Sequence, residues 1–81
     1  MDRRVYLMQL FAERLRRLRE EHNMTQQDLA DKVGCSKGLI SFYENAKREP
    51  GFTMILKLSR LFKVPPAYLM GNSNLRLAGK R

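Results

Sequence analysis

The residues with most to offer chemically fall in one stretch, Thr25 to Pro50, and they are binders rather than catalysts. At 100° per residue, a helix from Lys37 to about Asn45 divides into two faces. Leu39, Ile40, Tyr43 and Glu44 lie on one side, and Lys37, Gly38, Ser41, Phe42 and Asn45 on the other. The second face offers a cation, a hydroxyl, an amide and an exposed aromatic, where a plain solvated face is more often Glu and Lys. Lys37 opposes the positive end of the helix dipole, which costs roughly 0.3–1 kcal/mol and turns favourable beside an anion. Taken alone, a tolerated surface lysine explains Lys37 equally well. Lys47 and Arg48 follow the helix in a basic loop closed by Pro50.

Catalytic and metal chemistry find no footing in the chain. His22 is the single histidine and has no Cys or His cluster near it in sequence, so a metal role is not expected. Cys35 is the single cysteine and falls at an inward turn position, which reads as a structural thiol. Paired carboxylates on one face, a Ser–His or Cys–His pairing and a phosphate-cradling glycine loop are all missing from the pattern. The expectation is therefore no enzyme, no cofactor, no metal and no evident small-molecule ligand.

The elements that must position these residues are helices. Thr25 caps one, with Asp28 answering three residues later, and it runs through Leu29, Ala30 and Val33 to Gly34, where a left-handed residue is cheap. Ser36 caps the next. Leu29, Val33, Cys35, Ile40 and Tyr43 are expected inward, with small Ala30 at the crossing. A first helix spans about Asp2 or Arg3 to Glu21, with Met8, Phe11, Leu15 and Leu18 as its inward stripe, and His22-Asn23 end it. A fourth runs from about Phe52 to Phe62, burying Ile55, Leu58, Leu61 and Phe62, with Thr53 as a substitute cap for Gly51. Val64-Pro65-Pro66 breaks it, and Pro66 opens a fifth short helix through Met70, closed by Gly71.

Eighty-one residues make one small domain. Sixteen Lys and Arg against eight Asp and Glu give a net charge of +8, which draws any polyanion without choosing among DNA, RNA and acidic membrane. No run of 18 apolar residues occurs, so no membrane span or membrane partner is expected. One cysteine and no signal peptide point to the cytoplasm.

The stretch resembles the Cro/CI-type (XRE-like) helix-turn-helix family of bacterial and phage transcription regulators. The resemblance rests on Thr25-Gln26, Leu29-Ala30, Val33-Gly34, Ser36, Ile40-Ser41, Glu44-Asn45, Lys47-Arg48 and Pro50. It continues through Leu56, Leu58, Leu61-Phe62-Lys63-Val64 and Tyr68-Leu69-Met70, covering roughly residues 11–71. It implies an all-α, five-helix lambda-repressor-like domain over residues 1–71, with 1–10 extending the first helix, and a short basic tail at 72–81.

The resemblance also implies roles. Arg19 pairs with Glu44, tying the first helix to the recognition helix, and Gln26 touches phosphate and braces the groove contacts. A dimer contact is implied around Val64, Pro65, Tyr68 and Leu69. The apolar extension, with Val5 and Leu7, is a second candidate for that contact, against the blander reading of a frayed helix or wider core. The family usually has Gly where Ala46 stands and a polar reader where Gly38 stands.

Lys37 and Ser41 are the base-reading candidates, with Phe42 on a thymine methyl. Asn45, Lys47 and Arg48 hold flanking phosphates, and Gln27, Ser36 and Gly38 complete the DNA-facing set. The function expected is sequence-specific binding of near-palindromic operator DNA as a homodimer, completed on DNA if the free dimer is weak, by a transcriptional regulator, a repressor by preference. A protein-binding module on the same fold, an antitoxin or anti-repressor partner, is the alternative. Exposed Phe42 and the apolar amino terminus favour that alternative; Lys47, Arg48 and the charge oppose it. A basic amphipathic binder of membrane or RNA is disfavoured by the regular core pattern.

Overall fold

A computed structural model describes residues 2–76. Five helices follow in order: α1 (Arg3–Glu21), α2 (Gln26–Val33), α3 (Lys37–Glu44), α4 (Phe52–Phe62) and α5 (Pro66–Leu69). Their ends sit where local chemistry puts them. The Asp2 carboxylate accepts from Arg4 N at 3.1 Å and starts α1. Thr25 Oγ1 accepts from Asp28 N at 3.0 Å while Thr25 N donates to Asp28 Oδ2 at 2.9 Å, a reciprocal capping box that starts α2. Ser36 Oγ accepts from Leu39 N at 3.1 Å and starts α3. Pro66 occupies the first position of α5, where its missing N–H costs nothing.

Several boundaries differ from the sequence reading. α4 begins at Phe52 behind Gly51 with no side-chain cap, so Thr53 does not cap it. α3 ends at Glu44 and α5 at Leu69, leaving Asn45 and Met70 as the closing residues. Ala46 resolves the question posed by the missing glycine by entering the left-handed region at φ 56°. Ala46 N then donates to Tyr43 O at 3.2 Å and Lys47 N to Phe42 O at 2.8 Å, so the helix closes as a Schellman turn despite the Cβ.

The core draws on every helix. Phe11, Leu15 and Leu18 of α1 meet Leu29, Ala30 and Val33 of α2 and Ile40 and Tyr43 of α3. Ile55, Leu58 and Phe62 of α4 and Tyr68 and Leu69 of α5 close the far side. Phe11 and Tyr43 meet edge to face with centroids 5.6 Å apart, which fixes α1 across α3. Met8 and Leu61 are only partly buried, because the expected stripes run past the end of the small core. Among the described residues, no buried side-chain polar atom lacks a partner.

The amino-terminal extension is part of the fold. Gly71, at φ 81°, lies so close to α1 that an added Cβ would stand 2.7 Å from Leu7 and 3.2 Å from Leu10. Leu7 is therefore partly covered within the protomer, whereas Val5 and Tyr6 stay exposed. The residues of the expected carboxy-terminal dimer contact differ in their exposure within one copy. Val64, Tyr68 and Leu69 are buried in the core of one copy and have little surface to give a second. Pro65 is half-buried and remains accessible.

Candidate nucleic-acid interface

α2 and α3 are joined by Gly34-Cys35-Ser36. Gly34 adopts φ 76°, ψ 43°, and both Gly34 N and Cys35 N donate to Ala30 O, at 2.8 and 3.0 Å. This turn aims α3 across α2, with fully buried Ala30 keeping the helices close. Lys57 reaches from α4 to donate through Nζ to Val33 O at 3.2 Å, satisfying a carbonyl left free at the end of α2. No pattern within either helix marks that contact, because its partners lie 24 residues apart.

The angle between the helices is further held by a buried carboxylate. The Glu44 side chain is 1% exposed and accepts from Arg19 Nε at 2.6 Å and Arg19 Nη2 at 3.0 Å. Arg19, 13% exposed, also donates to Met24 O at 2.8 Å. The bidentate fork carries both charge and direction, so it fixes the end of α3 against α1. The bond to Glu44 also holds the Arg19 guanidinium above its ordinary pKa. Gln26 Nε2 adds a third bond to Glu44 Oε1, at 3.1 Å, and Arg16 Nε stands 3.9 Å away. Gln26 is therefore tied to Glu44, a link between the start of α2 and the end of α3 that residue types alone do not reveal.

The outer face carries most of the residues singled out from the sequence. Lys37, Gly38, Phe42, Asn45, Lys47, Arg48 and Ser36 are exposed, and Ser41 is half-buried. Phe42 is 53% exposed, with no role in the core. Asn45 Nδ2 donates to Ser41 O at 2.8 Å and reaches Ser41 Oγ at 3.3 Å, which couples an expected phosphate contact to an expected base reader. Gln27 is exposed but turned along its own helix, its Nε2 on Asp31 Oδ1 at 2.9 Å. A Cβ built on Gly38 meets only Ser36 Oγ at 3.9 Å, so folding does not demand glycine there.

Titration at the site follows from these contacts. The Thr25 backbone N–H, donating to Asp28, holds that carboxyl below the usual range. Burial pushes the Cys35 thiol and the Tyr43 phenol up, so Cys35 stays a thiol rather than a nucleophilic thiolate at neutral pH. Among the described residues no cluster of His, Cys, Asp and Glu is arranged to hold a metal ion. Among those residues, too, no helix is long and apolar enough to cross a membrane. The surface offers hydrogen-bond donors, cations and one aromatic ring on a helix held from behind.

Comparison with known proteins places this geometry. The helix-turn-helix family model matches residues 15–69. A relative in Bacillus subtilis, the uncharacterized HTH-type transcriptional regulator YqaE, is 35% identical over 66 residues, covering 80% of this chain and 57% of the relative. The chain spans just over half the length of the curated relatives it matches first. Among solved structures, the P22 c2 repressor protein, in complex with synthetic operator 9T in the presence of Tl+, superposes with a TM-score of 0.74 at 34% identity. That match covers 80% of this chain and 98% of the repressor chain. The restriction-modification controller protein C.AhdI from Aeromonas hydrophila superposes with a TM-score of 0.70 at 29% identity, over 76% and 94% of the two chains.

Proposed function

The chain belongs to the helix-turn-helix family, and from that premise we propose that it binds duplex DNA sequence-specifically as a transcriptional repressor. The observation that carries the reading is the outer face of α3, exposed Lys37 and Phe42 with half-buried Ser41, on a helix braced from behind by Glu44 through Arg19 and Gln26. α3 enters the major groove while α2 lies over the backbone. Lys37 donates to guanine O6 or N7, Ser41 reads a neighbouring base edge, and Phe42 packs on a thymine methyl. Asn45, Lys47 and Arg48 hold phosphates and set register. Gln26 keeps its amide on Glu44 and has a second amide hydrogen free for a phosphate. Gln27, Ser36 and Gly38 lie within the same footprint.

Residues 1–71 serve as the DNA-binding domain and 72–81 as a basic tail. Glu21 pairs with Arg76, midway along that tail. The protein works in the cytoplasm, by binding rather than by chemistry on a substrate. One such domain reads only a few base pairs, and two copies on a near-palindromic operator, with recognition helices about 34 Å apart, supply the specificity. Because Val64, Tyr68 and Leu69 are consumed in the core, the contact between copies falls to the accessible Pro65 and to Val5 and its exposed neighbour Tyr6.

A gel-shift competition tests the reading. A duplex carrying the operator should displace labelled operator at concentrations where random duplex, RNA and anionic vesicles do not. Equal competition by all four would reduce the protein to a nonspecific polycation binder. No binding to any would favour the protein-binding alternative.

A further inference from the structure

The amino-terminal turn of α1 holds an ion pair that neither the core nor the α2–α3 motif uses. Arg4 Nη2 lies 3.4 Å from Glu49 Oε1, bridging 45 residues of sequence. Glu49 is the lone anion of the loop Lys47-Arg48-Glu49-Pro50, the loop assigned above to phosphate contact. The bridge therefore draws Arg4, with Arg3 beside it, to the margin of that loop. Leu7, Met8 and Phe11 of α1 face Glu49, Pro50 and Phe52 across a cavity of about 290 Å³.

The pair makes a poor strut. Its side chains are 72% and 53% exposed, and a pair so open to water contributes little to stability. Nor do the arginines help their own helix, since cations in a first turn oppose its dipole. What the bridge does change is the charge presented to a polyanion. Glu49 would repel a phosphate beside Lys47 and Arg48, and Arg4 both cancels that charge and stands where it can reach the phosphate itself. Exchanging one exposed carboxylate for a phosphate costs Arg4 little.

We propose that Arg4, seconded by Arg3, is a further phosphate-binding element of the interface, and that Glu49 competes with DNA for it. The inference rests on the DNA-binding reading above. It makes the extension of α1 part of the binding surface and gives affinity an internal brake.

The experiment is a salt titration of binding to random-sequence duplex, followed by fluorescence anisotropy, for the full chain and variants. Arg4 and Glu49 are exposed, so circular dichroism should show unchanged melting for Arg4→Gln, Glu49→Gln and the double variant. Arg4→Gln should weaken binding and flatten the log–log salt slope by about 0.9 for each phosphate that is no longer neutralised. Between 50 and 200 mM salt, that change makes the fall in affinity about 3- to 4-fold smaller. Glu49→Gln should bind more tightly than the natural chain.

The double variant separates phosphate binding from masking. If Arg4 touches phosphate, its removal in the Glu49→Gln background still flattens the slope. If Arg4 only hides Glu49, its removal there is silent, and the proposal is overturned. Lys47→Ala serves as the reference. A flattened slope for Lys47→Ala with none for Arg4→Gln refutes this inference and leaves the DNA reading standing. A salt-independent natural chain refutes both.

Discussion

Truncating Glu44 is the sharpest perturbation this structure allows. Glu44→Ala removes the acceptor of two Arg19 bonds and one from Gln26. Breaking one side of a buried pair typically costs about 3–5 kcal/mol. Arg19 keeps its bond to Met24 O and can partly rehydrate at 13% exposure, so the low end applies, about 3 kcal/mol. Arg19→Ala leaves a carboxylate at 1% exposure with Gln26 and a more distant Arg16, and a similar loss of about 3 kcal/mol follows. A chain of this size is stable by about 4–12 kcal/mol, so either change removes a large fraction of it. Melting should fall by roughly 12–24 °C.

The double variant Arg19→Ala/Glu44→Ala strands no charge and should lose about 3–4 kcal/mol in total, a coupling of roughly 2–3 kcal/mol. Urea denaturation followed by circular dichroism supplies the four free energies. Additive losses would refute the reasoning, since they would mean that neither side chain depends on the other. Replacing the pair with Met and Leu should recover stability. It should not recover DNA affinity if Gln26 needs its acceptor to stay in place.

Four further outcomes follow from single residues. Ala46→Gly should stabilise the protein by about 1 kcal/mol in the same urea assay, because the left-handed φ of 56° penalises a Cβ and not a hydrogen. Gly38→Ala should stabilise α3 by at most about 0.8–1 kcal/mol, the added Cβ meeting only Ser36 Oγ at an ordinary 3.9 Å; a parallel drop in operator affinity would show that bound DNA lies against that position. Lys37→Ala should cost about 1–3 kcal/mol on operator and much less on random duplex, whereas Lys47→Ala should weaken both alike, a contrast that anisotropy reads directly. Asp28 titrates lower folded than unfolded, so it adds stability that is present above the unfolded carboxylate value and is lost as pH falls through the folded one. Asp28→Asn should therefore flatten the stability–pH profile on that acid limb only, as thermal melts across roughly pH 2–6 would report.

How much of this is legible in the sequence varies with the range of the interaction. Thr25 with Asp28, Gly34, Ser36 and Pro66 act on backbone groups within one turn of themselves, so residue type and order suffice to place the starts of α2, α3 and α5 and the bend between α2 and α3. The apolar period of α1 likewise puts Phe11, Leu15 and Leu18 inside. Periodicity reports a direction and not a depth, and for that reason Met8 and Leu61 are expected to be buried and are only half so.

Whether Ala46 accepts strain or reroutes the chain depends on whether Tyr43 O and Phe42 O are waiting for donors, which only the closed helix decides. Whether Tyr68 and Leu69 are surface or core depends on how near α5 lies to α1, a distance set at Gly71 against Leu7 and Leu10. The bonds of Gln26 to Glu44, Lys57 to Val33 and Arg4 to Glu49 join residues 18, 24 and 45 apart. Composition supplies the charges and amides for such bonds. Their pairing comes from the docking of whole helices, driven by burial of Leu15, Leu29, Ile40, Leu58 and Leu69, side chains that take no part in those bonds.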